Sequence, residues 1–130
     1  MPGISLFTYG SLMFPQVWQR VVCGRYSQAL AEVEGYARYA VRNATYPGMV
    51  AQAGASVNGV VYFNVSEADI AMLDAFEGGD YRRVTVSARL PDGEIIPVEA
   101  YLFINPADLA EQGWEPENFD MQRFLAAYCD

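Results

Sequence analysis

The chain contains no histidine, and all eight of its Lys and Arg positions are arginines. Without histidine there is no Ser-His-Asp or Cys-His arrangement, and the commonest metal ligand is missing. Arginine keeps its proton at every physiological pH. Proton-transfer chemistry near pH 7 must therefore rest on carboxylates or tyrosines. Cysteine is almost as scarce. Cys23 and Cys129 could form one bridge, but two cysteines are no disulfide framework, and each is expected as a reduced thiol. A nucleophilic Cys23 would need a base beside it. No apolar run approaches the roughly 20 residues that cross a bilayer, so no membrane partner is expected. No basic leader with an apolar stretch and a small-residue cleavage site opens the chain, and a cytoplasmic location follows by default. No repeat, low-complexity tract or linker interrupts the chain, so residues 1–130 are read as one domain.

What is present is acidic and apolar. Sixteen Asp and Glu against eight Arg give a formal charge of −8, a field that repels phosphate backbones and argues against a nucleic-acid partner. With 52% hydrophobic and 18% charged residues the chain is expected to fold. Residues 4–9 read as a short buried strand. Gly10-Ser11 breaks it, and Pro15 suits the first position of a helix running to Val22, with Gly24 as its stop. Residues 29–41 read as one or two strands interrupted at Gly35. Tyr46-Pro47-Gly48 carries a turn signal. Residues 57–65 are read as a single strand containing a glycine, although Asn58-Gly59 could also make a hairpin turn.

Residues 66–76 form the best-marked helix, with Ser66 and Asp69 as a capping pair and Ile70, Leu73 and Phe76 on one face. Gly78-Gly79 ends it. Residues 81–90 alternate as a strand, and Pro91-Asp92-Gly93 turns the chain into an antiparallel partner over 95–104. Pro97 places that partner at an edge or a bulge. Asn105-Pro106 begins a short helical piece, 113–116 is loop, and 118–128 reads as a terminal helix. Strands with few, peripheral helices imply an α+β fold whose sheet curls towards a barrel.

Two places carry candidate chemistry. A strand that turns through Gly10-Ser11 into a helix leaves backbone N–H groups unpaired, which can make a small anion pocket or simply an ordinary turn. Glu77, in turn, falls just past the last helical turn, facing the negative end of the helix dipole. Burial and the helix end both raise a carboxyl pKa, as a general base near neutrality requires; otherwise the side chain is merely solvated beside Gly78-Gly79. Asp74 reads as an exposed helix residue.

Phe7-Thr8-Tyr9-Gly10-Ser11-Leu12, the Tyr46-Pro47-Gly48 turn, Val57-Asn58-Gly59-Val60-Val61-Tyr62, and Leu73-Asp74-Ala75-Phe76-Glu77-Gly78 followed by Tyr81-Arg82-Arg83 together resemble the γ-glutamylcyclotransferase-like family. The resemblance implies a compact mixed β-barrel with peripheral helices and a cavity floored by the Tyr-Gly-Ser-Leu loop. It implies that Tyr9, Gly10, Ser11 and Leu12 hold the α-carboxylate end of a γ-glutamyl substrate through their backbone, and that Glu77 is the acid/base. In such an amide the substrate's own α-amino group attacks the γ-carbonyl, so neither cofactor nor metal is called for. Holding those groups in attack geometry supplies on the order of 7–11 kcal/mol, and a proton shuttle adds roughly 10²–10⁴-fold. An unshifted Glu near ~4.3 facing an amine near ~8 is about 3.5 units short, or roughly 5 kcal/mol, so a raised Glu77 pKa belongs to the expectation. Tyr81 or Ser11 could steady the carboxylate or the substrate, and Arg42 or Arg83 could offset the substrate's charge. Specificity for the leaving amine is expected from loops over 46–56 and 104–118. The competing readings are a non-catalytic small-molecule binding or regulatory domain and a subunit-interaction protein with an occluded cavity. Oligomeric state is left open.

Overall fold

The computed structural model describes residues 3–42, 44 and 46–114. Strand β1 (Ile4–Thr8) runs into a 3-10 turn (Ser11–Met13) and helix α1 (Pro15–Val21). Two long strands follow, β2 (Gln28–Val41) and β3 (Pro47–Val65), then helix α2 (Glu67–Glu77) and a 3-10 turn (Gly78–Asp80). Strands β4 (Tyr81–Arg89) and β5 (Ile95–Phe103) form a hairpin, and a 3-10 turn (Pro106–Asp108) leads to β6 (Leu109–Gly113). The expected 118–128 helix and Cys129 lie outside the described residues.

The sheet closes on itself. β1 pairs antiparallel with β3 and parallel with β5, β5 pairs with β4, β4 meets β2 at Glu32↔Arg89, and β2 returns to β3. Five strands thus make a barrel, and β6 is added at the far end of β2, opposite Tyr39 and Val41. The α+β barrel with peripheral helices expected from the sequence is the fold observed.

Strand alternation divides the core in two. Phe7, Val33, Val61, Val86 and Val98, one from each barrel strand, join one cluster of buried side chains that fills the interior. Leu6, Val60, Tyr62 and Val65 face the other way and pack beneath Val17, Trp18, Val21, Ile70 and Leu73 of the two helices. Trp18 stacks on Tyr62 with ring centres 3.7 Å apart. The periodicity read for α2 places Ile70 and Leu73 in this layer, with Phe76 partly buried at its edge.

Residues 57–65 are the second half of one strand, as read, and contain no hairpin. Gly59 is glycine because β1 crosses close above it: a Cβ there would lie 2.1 Å from the Thr8 carbonyl oxygen. β2 is likewise continuous, with a bulge at Gly35, whose φ is +84°. Two expectations are corrected. Pro47-Gly48 is not a turn but the start of β3, paired with Ala40 and Tyr39; proline is tolerated at the first residue of a strand. The expected loop over 46–56 is accordingly mostly strand, and 109–113, also read as loop, is β6.

Candidate active site

The cavity opens where β1 ends. Thr8 is the last strand residue, and after Tyr9 the chain turns at Gly10 into the 3-10 turn at Ser11. The Met13 N–H donates to the Gly10 carbonyl at 3.0 Å and the Phe14 N–H to the Ser11 carbonyl at 3.1 Å, which holds the turn closed. The first N–H groups of such a turn have no partner inside it. Gly10 is close-packed, because a Cβ would fall 2.8 Å from the Pro47 ring. α2 supplies the opposite wall. It ends at Glu77 because Gly78 takes φ +76°, a left-handed conformation that glycine adopts without strain, and its N–H caps the Asp74 carbonyl.

Tyr9, Gly10, Ser11, Leu12, Glu77 and Tyr81 line one cavity, together with Tyr46, Pro47, Phe76, Asp80 and Tyr101. It offers about 80 Å³ open to water. About 10–15 Å³ suffices for one water, so the head of a small ligand fits. All six residues singled out in the sequence therefore meet in space, although almost seventy positions separate Tyr9 from Glu77.

The walls are fixed by hydrogen bonds that also limit what each tyrosine can do. The Tyr9 hydroxyl donates to the Tyr101 carbonyl at 2.5 Å and accepts from the Met49 N–H at 3.2 Å. Its phenol is thus occupied, and Tyr9 can serve a ligand through its backbone and ring face. The Tyr81 hydroxyl donates to the Pro47 carbonyl at 2.8 Å, so its proton is committed to the wall and not to Glu77. Burial raises the pKa of both phenols, with Tyr9 and Glu77 adding to the effect on Tyr81. They stay neutral across the physiological range.

Glu77 is the group set apart. Removal from water, with the Asp74 carboxylate as a second cause, pushes its pKa up to about 8. Asp74 is exposed, as read, but not idle. It accepts from the Tyr101 hydroxyl at 2.7 Å and pairs with the Arg83 guanidinium at 3.0 Å. Arg83 also pairs with Glu99 at 3.0 Å and lines an adjoining hollow that shares Glu77, Tyr81 and Tyr101 with the cavity. Arg42 donates to the Leu109 carbonyl at the β6 end of the barrel. Neither arginine lines the cavity, whose charged residues among those described are Glu77 and Asp80. Cys23 is exposed and lies outside the lining. Among the described residues no three Cys, Asp or Glu side chains converge as metal ligands would.

Tyr101 and Asp80 were not singled out in the sequence, and Phe76 was read only as an apolar helix-face residue. Tyr101 sits in an apolar strand run and shows its role only through the register that sets it beside Arg83. Asp80 had one available signal, its place one helical turn after Glu77.

A small closed barrel whose strand-end loop and one half-buried glutamate line a common cavity has the γ-glutamylcyclotransferase fold. The chain belongs to the family described as gamma-glutamyl cyclotransferase, AIG2-like, whose model matches residues 6–120. Protein AIG2 C of Arabidopsis thaliana is 34% identical over 117 residues, which is 88% of this chain and 71% of the relative. A solution structure of a protein from Arabidopsis thaliana has a TM-score of 0.75 at 30% identity, over 95% of this chain and 74% of that one. A structure named gamma-glutamyl cyclotransferase has a TM-score of 0.67 at 20% identity, over 78% and 67% of the two chains, a likeness of fold. Family and fold together support an enzyme of γ-glutamyl cyclotransferase type. No helix among the described residues is long and apolar enough to cross a membrane.

Proposed function

We propose that the protein cyclises a γ-glutamyl amide to 5-oxoproline and a free amine, with Glu77 as the general acid/base. The observation that carries the reading is the Glu77 carboxyl, raised to about 8 within a cavity floored by Tyr9, Gly10, Ser11 and Leu12. A substrate α-ammonium titrates near ~8, so the deficit of about 3.5 units facing an ordinary glutamate is removed. The backbone of Gly10–Leu12 holds the α-carboxylate, and Glu77 takes a proton from the α-ammonium. The freed nitrogen attacks the γ-carbonyl carbon, the new lactam C–N bond forms and the old amide C–N bond breaks. Of the three ammonium protons one stays on the lactam nitrogen. Two pass by way of Glu77 to the leaving nitrogen, which departs as an ammonium ion, and the carboxylate is restored. Tyr81, its proton committed to Pro47, keeps the wall in place and presents an oxygen that can accept.

The test is a panel of γ-glutamyl amino acids, peptides and amines assayed for 5-oxoproline, with Glu77→Gln beside the wild type. At least one member is expected to be cyclised, and Glu77→Gln to lose roughly 10²–10⁴-fold in turnover. Full activity in Glu77→Gln rules out the acid/base role. Ligand-induced thermal stabilisation with no product from any member points to a binding domain instead.

A further inference from the structure

Arg38 stands on β2, outside the cavity lining, yet reaches the loop that floors the cavity. Its Nη1 donates to the Tyr9 carbonyl at 2.8 Å and to the Asn58 carbonyl at 3.2 Å. The guanidinium carbon lies 5.3 Å from the centre of the Trp114 ring, a cation–π contact. One side chain thus ties the end of β1, the middle of β3 and the residue after β6. The consequence falls on the peptide between Tyr9 and Gly10. In a trans peptide the C=O and N–H point in opposite directions, and no peptide among the described residues is cis. With the carbonyl drawn towards Arg38, the Gly10 N–H is turned to the other side, where Gly10 lines the cavity. The peptide has little freedom to rotate back. Pro47 packs against Gly10, and the Tyr9 phenol is fastened to Tyr101 and Met49.

We propose that Arg38 is a positioning residue for the carboxylate cradle: by holding the Tyr9 carbonyl it aims the Gly10 N–H at the carboxylate of the bound ligand. This rests on the γ-glutamyl reading above. The carboxylate is bound alike in substrate and transition state, so losing the alignment raises KM and leaves kcat unchanged.

The experiment compares wild type, Arg38→Met and Arg38→Lys in three measurements. These are cyclisation of γ-L-glutamylethylamide, calorimetric binding of 5-oxo-L-proline, and melting temperature. Methionine keeps an apolar stem against Trp114 but has no donor, whereas lysine keeps a cation and a donor. In Arg38→Met, KM for the amide and Kd for 5-oxo-L-proline are each expected to rise about 10-fold, as for one lost hydrogen bond to a charged group. Arg38→Lys is expected to recover most of that loss. Wild-type KM and Kd in Arg38→Met overturn the proposal. So does a joint loss of kcat and melting temperature that lysine does not restore. Both results leave the γ-glutamyl reading standing if the wild type turns over. A wild type that neither binds 5-oxo-L-proline nor cyclises the amide overturns that reading and this one together. Should Arg38→Met not fold, the amide resonance of Gly10 in the wild type decides: it is expected to move on saturation with 5-oxo-L-proline, and a fixed resonance overturns the proposal.

Discussion

Glu77 owes its proton affinity to place and not to type, and the consequence can be measured twice. Its carboxyl titrates near ~4.3 in an unfolded chain but at about 8 in the fold. Between those values the folded state holds a proton that the unfolded state has released, so the contribution to stability is full below pH ~4.3 and is lost progressively as pH rises from there through 8. Glu77→Gln copies the protonated form. It is expected to match the wild type below pH ~4 and to exceed it at pH 9. The full shift equals roughly 5 kcal/mol, and partial exposure of the side chain reduces the expected gain to about 2 kcal/mol. Equal denaturant midpoints at pH 9 would contradict the raised pKa. The second measurement removes the neighbour. Asp74→Asn takes away the carboxylate that helps to raise Glu77, so the rising limb of kcat/KM should move to lower pH by up to about one unit. The substrate amine titrates in the same range but identically for both proteins, so the difference belongs to the enzyme. At this scale the helix end marked Glu77 and the glycine-broken strand marked the Tyr9–Leu12 loop as candidates, each beside an ordinary alternative, and it was the family resemblance that singled them out. Arg38 was not: a lone arginine in an alternating strand carries no sign of which carbonyl it will reach.

Between elements, the joints are made by a few polar groups in apolar ground. Asp69 was read with Ser66 as a capping pair, and half of that is observed: the Asp69 N–H donates to the Ser66 hydroxyl at 3.2 Å. The Asp69 carboxylate turns away and accepts from the Cys23 N–H at 3.0 Å, the Gly24 N–H at 2.9 Å and the Tyr26 hydroxyl. It fastens the segment after α1 to the first turn of α2. Burial would raise its pKa, but these three donors outweigh burial and hold it below the usual carboxylate range. The stabilisation is therefore present above pH ~3.9, where the unfolded carboxyl ionises, and is lost as pH falls through the depressed folded value. Asp69→Asn is expected to cost about 2–3 kcal/mol at pH 7, with the gap to wild type narrowing below pH ~4. A gap constant down to pH 3 would show that charge plays no part. Tyr62 makes a contrasting joint, stacked on Trp18 while its buried hydroxyl has no hydrogen-bond partner among the described residues. Tyr62→Phe keeps the stack and removes the orphan, so melting temperature should hold or rise. A loss above about 1 kcal/mol would reveal a partner for the hydroxyl. α2 and the β4–β5 hairpin were legible because periodicity and turn residues agree there. Pro47-Gly48 misled because the residues that open β3 are those that usually make turns, and β6 because Leu-Ala-Glu-Gln-Gly has no strand pattern of its own.

Closure of the barrel depends on contacts that no local pattern announces. Alternation marked the strands, and their number beside few peripheral helices implied a sheet curled towards a barrel, but nothing in residues 28–65 says that β2 folds back along β3 for most of its length. The least tolerant point of that closure is Gly59, where β1 lies against β3 in the pairs Thr8↔Val60 and Phe7↔Val61. A Cβ at Gly59 would meet the Thr8 carbonyl oxygen at 2.1 Å and the Phe7 ring at 2.8 Å. The first of these is backbone and cannot swing aside, so β1 itself must move. Because β1 leads directly into the Gly10 turn, the displacement reaches the cavity floor. Gly59→Ala is therefore expected to cost at least about 3 kcal/mol, the upper end of the overpacking range, and to abolish 5-oxo-L-proline binding in whatever remains folded. Gly79→Ala is the matched control: none of the described residues stands within 4 Å of its added Cβ, and its stability should stay within about 0.5 kcal/mol of wild type. Amide exchange locates the damage, with faster exchange at Leu6–Thr8 in Gly59→Ala while the β4–β5 hairpin stays protected. A Gly59→Ala protein with wild-type melting temperature and an intact ligand site would mean that β1 can shift without disturbing the loop it carries, and the cradle would then be set by Arg38 and Pro47 alone.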